Sequence, residues 1–166
     1  MRQPTVNTNT PVAIQDSAKK SIDPGAELVW DGIRVRSNIY LPPADRVAAP
    51  SRAEHRIVLH LANQDYLERR LDGGKLLCAP MSPGLFNFVP AHRESESLWQ
   101  AEVELLEIYL PAVLLERVAI ESCDRVPRTI ELIDRFAIPD PFLEQLAYAF
   151  KAELERGKPS DRLYLE

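Results

Sequence analysis

"RRLDGGKLLCAPMSPGLFNFVPAHRESE", Arg69 to Glu96, decides the fold class. Asp72, Gly73 and Gly74 stand between two apolar runs, where glycine supplies the positive φ angles that a tight hairpin needs. "LFNFV" then alternates, so Phe86 and Phe88 share one side of a strand while Leu85, Asn87 and Val89 share the other. Pro90 lacks an amide hydrogen and ends the pairing. Antiparallel strands joined by tight turns follow. At the far end His92 stands among charges, which raises the question of a metal-binding corner.

The same texture extends outward. From "LVWDGIRVRSNIYL" to "VELLEIYL" the chain reads as short β runs broken by turn residues. In "HRIVLHL", Ile57, Leu59 and Leu61 fall on one face and Val58 and His60 on the other; a last strand is expected over Val103 to Leu110. After Pro111 the period changes. "PAVLLERVAIES" predicts a short helix with proline in its first turn, and "TIELIDRF" another strand. "DPFLEQLAYAFKAELERG" predicts the best helix, with Asp140 as cap and an apolar stripe of Phe142, Leu143, Leu146, Phe150 and Leu154 that Gly157 ends. Ser160 opens a further helix in "SDRLYLE". The expected organisation is an extended or mobile arm over 1–26, a β barrel over 27–110 and a helical part over 111–166.

Composition narrows the function classes. A chain of 166 residues with 45% hydrophobic and 27% charged content buries one core. Its net charge of −5 argues against this chain itself wrapping a nucleic-acid backbone, which calls for clustered Lys and Arg. No run has the length of a bilayer-spanning helix, and the amino terminus lacks a secretory apolar centre, so a cytoplasmic protein with no membrane partner is expected. Cys78 and Cys123 have no CxxC spacing and read as buried, reduced thiols. No nucleophile motif occurs, and "LDGGK" is a hairpin without the helix that a phosphate cradle needs.

Many short strands followed by helices point to a mostly β fold with C-terminal helices, a small barrel or sandwich with two or three helices appended. The order "RRLDGGKLLCAPMSPGLFNFVPAHRESE", "VELLEIYLPAVLLERVA", "DPFLEQLAYAFKAELERG" and "RLYLE" resembles the amino-terminal sensor domain of AraC-type transcription regulators from about residue 28 onward. The resemblance implies a cupin-like antiparallel barrel, a homodimer formed by the helices and a small-molecule effector. DNA would be bound only through a carboxy-terminal helix-turn-helix domain absent from this chain, which would then be a piece of a longer regulator.

A cupin metal centre needs several imidazoles and a carboxylate converging on one point. This chain offers only His55, His60 and His92, and the spacing of "EHRIVLH" points the first two to opposite faces. His92 stands where many family members carry glycine, and Ser95 where a histidine often follows. No metal, no cofactor and no catalytic residue is therefore assigned, and the chain is expected not to be an enzyme. Ligand-binding candidates are His60, Glu107, Trp99 and Tyr109, taken from polar or aromatic positions in otherwise apolar strands. Against them stands the plain alternative that Glu107 and His60 look out to solvent and that Trp30 and Trp99 only pack. "ERR" at Glu68 and "ESE" at Glu94 read as solvated surface. Phe150 and Leu154 are the dimer-interface candidates, although burial against the barrel explains them equally well. The competing reading is a stand-alone metal-dependent cupin oxygenase or isomerase.

Overall fold

The Asp72–Gly73 turn forms as its chemistry requires: both residues have positive φ (46° and 66°), and the Gly74 amide closes it on the Leu71 carbonyl at 2.8 Å. In the computed structural model, which describes residues 19–20, 27–63, 65–122 and 132–156, this turn joins β6 (Asp65–Leu71) to β7 (Leu77–Met81). The remaining elements are β1 (Lys19–Lys20), β2 (Glu27–Trp30), β3 (Ile33–Tyr40), β4 (Val47–Ala49), β5 (Glu54–Ala62), β8 (Leu85–Val89), β9 (Ser95–Leu98) and β10 (Val103–Pro111). Then come α1 (Ala112–Ser122), β11 (Arg135–Pro139) and α2 (Pro141–Arg156).

All strand pairs are antiparallel. One sheet runs β1-β3-β10-β5-β8-β11, with β2 also on β3, and a smaller one runs β4-β9-β6-β7. The fold is cupin-like, mostly β with two C-terminal helices, and among the described residues the two sheets do not close into one continuous barrel.

The period of two divides the large sheet into unlike faces. Val35, Leu59, Leu61, Phe86, Leu106 and Ile108 form the buried core together with Ala147 of α2, and Leu143, Phe150 and Leu154 of that helix pack against it. Asp140 starts α2 as expected, its Oδ1 accepting the Phe142 and Leu143 amides at 3.0 and 3.1 Å. The opposite face carries the residues between these apolar positions and looks toward the small sheet.

Three expectations need correction. Phe142 does not join the stripe: it is 77% exposed, because it lies off the face of α2 that carries Leu143, Ala147, Phe150 and Leu154 to the sheet. Cys78 is exposed, since its strand β7 is an edge of the small sheet. The strand expected in "TIELIDRF" sits later, at Arg135–Pro139, where pairing with β8 sets its place, while Thr129 to Glu131 lie outside the described residues. So do the N-terminal arm apart from Lys19 and Lys20, Cys123, the stop at Gly157 and the helix expected from Ser160. No helix among the described residues is long and apolar enough to cross a membrane.

Candidate functional site: a polar cavity between the two sheets

Registers place the cavity side chains in tiers. Tyr109 of β10 lies beside Arg34 of β3 and Arg56 of β5; Glu107 lies beside Arg36 and Val58; Leu105 lies beside Asn38 and His60. Val103 faces Tyr40 at the last tier. Asn87 and Val89 of β8 extend the first two tiers, paired with Val58 and Arg56. The small sheet closes the space with Asp65, Leu67 and Arg69 of β6 and Ser95 and Ser97 of β9, and Trp99 follows. The cavity volume is about 280 Å³.

This interior is polar. The buried polar residues of the described chain are Asn38, His60, Arg69, Asn87, Ser95 and Glu107, and all but Asn38 line the cavity. Glu107, only 6% exposed, is held by neutral donors: the Tyr40 hydroxyl donates to Oε2 at 2.6 Å, Asn38 Nδ2 to the same oxygen at 3.4 Å and the Tyr109 hydroxyl to Oε1 at 3.3 Å. Burial first, and then the Glu107 carboxylate, push the Tyr109 phenol up to about 12 and the Tyr40 phenol well above its usual range. Both phenols remain donors at neutral pH.

His60 is 2% exposed, and burial pushes its pKa down to about 4, against a smaller opposing pull from Asp65. Its imidazole is therefore neutral at pH 7. The Gly84 amide donates to the His60 carbonyl at 3.0 Å. Gly84 itself has φ +90°, and an added Cβ would meet Glu144 Oε1 at 3.0 Å, so glycine is required at this corner.

Arg69 crosses from the small sheet to the large one. Its Nη2 donates to Asp134 Oδ1 at 2.5 Å, its Nη1 to the Phe88 carbonyl at 3.5 Å, and its guanidinium lies 4.9 Å from the Phe136 ring centre. Asn87 Oδ1 accepts the Ala137 amide at 3.0 Å where β11 bulges. Arg56 Nη2 donates to Ser95 Oγ at 3.3 Å, joining the sheets at the cavity's other end.

The four ligand-binding candidates all lie on this cavity: His60, Glu107, Trp99 and Tyr109. Glu107 and His60 face inward because the apolar residues of β5 and β10 are taken up by α2 on the other side. Trp99 stands edge-on to Tyr40 with ring centres 6.0 Å apart, and its Nε1 donates to the Leu41 carbonyl at 2.9 Å. Phe150 and Leu154 pack on the outer face of their own sheet. Sequence reasoning missed Arg36, Arg52, Arg56, Arg69, Asp65 and Tyr40. A signal was present, because the phase that places His60 inward also places Arg56 inward.

The opening question about His92 has a structural answer. His92 is exposed with φ 62°, its amide donates to the Arg52 carbonyl at 2.7 Å, and it does not line the cavity. His55 faces away, stacked on Phe88, with Nδ1 accepting the Ala91 amide at 2.9 Å. The metal that cupin folds often carry does not fit these residues: among the described residues no three His, Cys, Asp or Glu converge. The cavity's single imidazole shares its walls with Arg36, Arg52, Arg56 and Arg69, whose charges oppose a divalent cation.

No protein-family model matches the chain, and no curated protein does. Solved structures of similar shape include the hydroxypropylphosphonic acid epoxidase of S. wedmorenis, 14% identical over 47% of this chain and 43% of that one, TM-score 0.40. A protein from Ralstonia eutropha assigned as a mannose-6-phosphate isomerase is 17% identical over 68% of this chain and 100% of its own, TM-score 0.41. A Bacillus subtilis oxalate decarboxylase variant is 10% identical over 48% and 21%, TM-score 0.39. This chain spans less than two thirds of the epoxidase's length. The likeness concerns the fold. The expectation that the chain is not an enzyme is withdrawn: the similar structures are named as an epoxidase, a mannose-6-phosphate isomerase by assignment and an oxalate decarboxylase.

Proposed function

We propose that the space between the sheets is a small-molecule pocket and that the chain is the sensor domain of an AraC-type regulator, paired with a DNA-binding domain outside this sequence. The observation that carries the pocket is a set of buried polar atoms without partners among the described residues: His60 Nδ1, Asp65 Oδ2 and Arg69 Nε, all on cavity-lining residues. Native interiors leave few such atoms unsatisfied, and a bound molecule of matching polarity takes up their bonds. The regulator assignment is supported by the order of the motifs described above and by helices that follow the β domain. Homodimerisation belongs to the same proposal. Because Phe150 and Leu154 cover their own sheet, a dimer built on α2 uses its other side, where Phe142 and Tyr148 are exposed.

A second reading is favoured by His60. A neutral imidazole with a free Nδ1, in one cavity with Glu107 and two phenols, is suited to move a proton on a bound molecule. The test is a thermal-shift screen of common metabolites followed by mass spectrometry of the incubated hit. A ligand at a concentration on the order of 100 Kd should raise Tm by about 5 °C or more. A hit recovered unchanged supports the sensor, a converted hit supports catalysis, and a screen without hits counts against the pocket.

A further inference from the structure

The cavity's charges are distributed unevenly. Arg36 is answered by Glu27 at 2.7 Å, Arg34 by Glu54 at 2.7 Å and Arg69 by Asp134 at 2.5 Å. Arg52 and Arg56 line the same end of the cavity, and among the described residues neither has a carboxylate within ion-pair distance. Arg56 is half-buried, and its side-chain hydrogen bond among the described residues goes to the neutral Ser95 hydroxyl, at 3.3 Å. Arg52 lies 5.9 Å from the Tyr109 ring centre. A partly desolvated guanidinium without a counter-charge, as at Arg56, is costly unless an anion joins it, and the planar forks of both arginines suit two-oxygen groups.

The other end has the opposite character. His60 and Asp65 stand there with His60 Nδ1 and Asp65 Oδ2 buried and unpartnered among the described residues, while Asp65 Oδ1 is already occupied by the Gln100 and Ala101 amides at 2.9 and 3.0 Å. A carboxylate oxygen can only accept, so this end calls for a donor. Val58, Val89 and Leu105 line the space along with these groups.

Resting on the pocket reading above, we infer that the cavity takes a small organic anion, its carboxylate or phosphate monoester head held by Arg52, Arg56 and Ser95 and a hydroxyl-type donor at its far end meeting Asp65 and His60. The acid and the phosphate ester share the same head-group chemistry, and separate probes distinguish them.

Isothermal calorimetry on the full chain tests this with hexanoate, para-hydroxybenzoate, cinnamate and para-hydroxycinnamate, with the amide of each, and with hexyl phosphate. Acids or hexyl phosphate should bind, the amides at least tenfold more weakly, and para-hydroxycinnamate more tightly than unsubstituted cinnamate. Arg56→Gln should weaken binding by tenfold or more, with Arg56→Lys recovering part of it. Arg52→Gln, at an exposed position whose side chain has no hydrogen bond or ion pair among the described residues, should also weaken binding and guards against a folding defect in Arg56→Gln. Amides that bind as tightly as the acids would overturn the anion while leaving the pocket in place. Silence from acids, phosphate and amides alike overturns the anion and the pocket together.

Discussion

At the scale of the residue, His60 shows how burial sets chemistry. In the unfolded chain its imidazole titrates near its ordinary value of about 6.5, whereas in the fold burial holds it at about 4. As pH falls below about 6.5 the unfolded chain takes up a proton that the folded chain refuses, so stability declines until the folded group also titrates. The loss runs from pH about 6.5 down to about 4 and totals about 3 kcal/mol. His60→Leu should flatten this slope. Urea melts of both proteins at neutral and mildly acid pH check it, and an unchanged slope would place the acid sensitivity elsewhere. Glu107 illustrates the reverse strategy, a buried carboxylate kept by three neutral donors rather than by a cation.

At the scale of the element, the chain from Asp134 through β11 depends on side chains reaching from other strands. Arg69 is 2% exposed, and its charge is answered by Asp134 across the gap between the sheets. Removing one partner of a buried pair strands the other, at a cost of about 3 kcal/mol. Asp134→Ala should therefore lower unfolding free energy by that amount, whereas replacing Asp31, whose bond to Arg117 is exposed on both sides, should change it by less than about 1 kcal/mol. Equal effects in denaturant melts would show that Arg69 finds another partner. The sequence placed β11 too early because "TIELID" alternates as a strand does, while the register depends on Asn87 receiving the Ala137 amide.

At the scale of the whole molecule, stability and binding occupy opposite faces of one sheet. The outer face is sealed by α2 through Ala147, Leu143, Phe150 and Leu154, and the inner face surrounds the cavity. Phe150→Ala should cost about 2–3 kcal/mol in stability yet leave ligand affinity within about twofold, because its cavity lies beyond the cores of β5 and β10. Chemical denaturation and calorimetry on the same sample test that separation. Joint loss of both would mean that the sheet transmits strain from helix to cavity.

The alternation in "HRIVLHL" and "LFNFV", the Asp72–Gly73 turn, the Pro90 stop and the Asp140 cap were all legible in the sequence, because each rests on backbone geometry within a few residues. That reading also divided each strand into its two faces and fixed which residues travel together. Which face turns inward was not legible. Local pattern assigns charge to water, yet here one sheet offers two partners, and the apolar face is claimed by α2 while the polar face meets a second sheet. Only that tertiary choice gathers Arg56, His60, Arg69 and Glu107, from three strands, around one cavity.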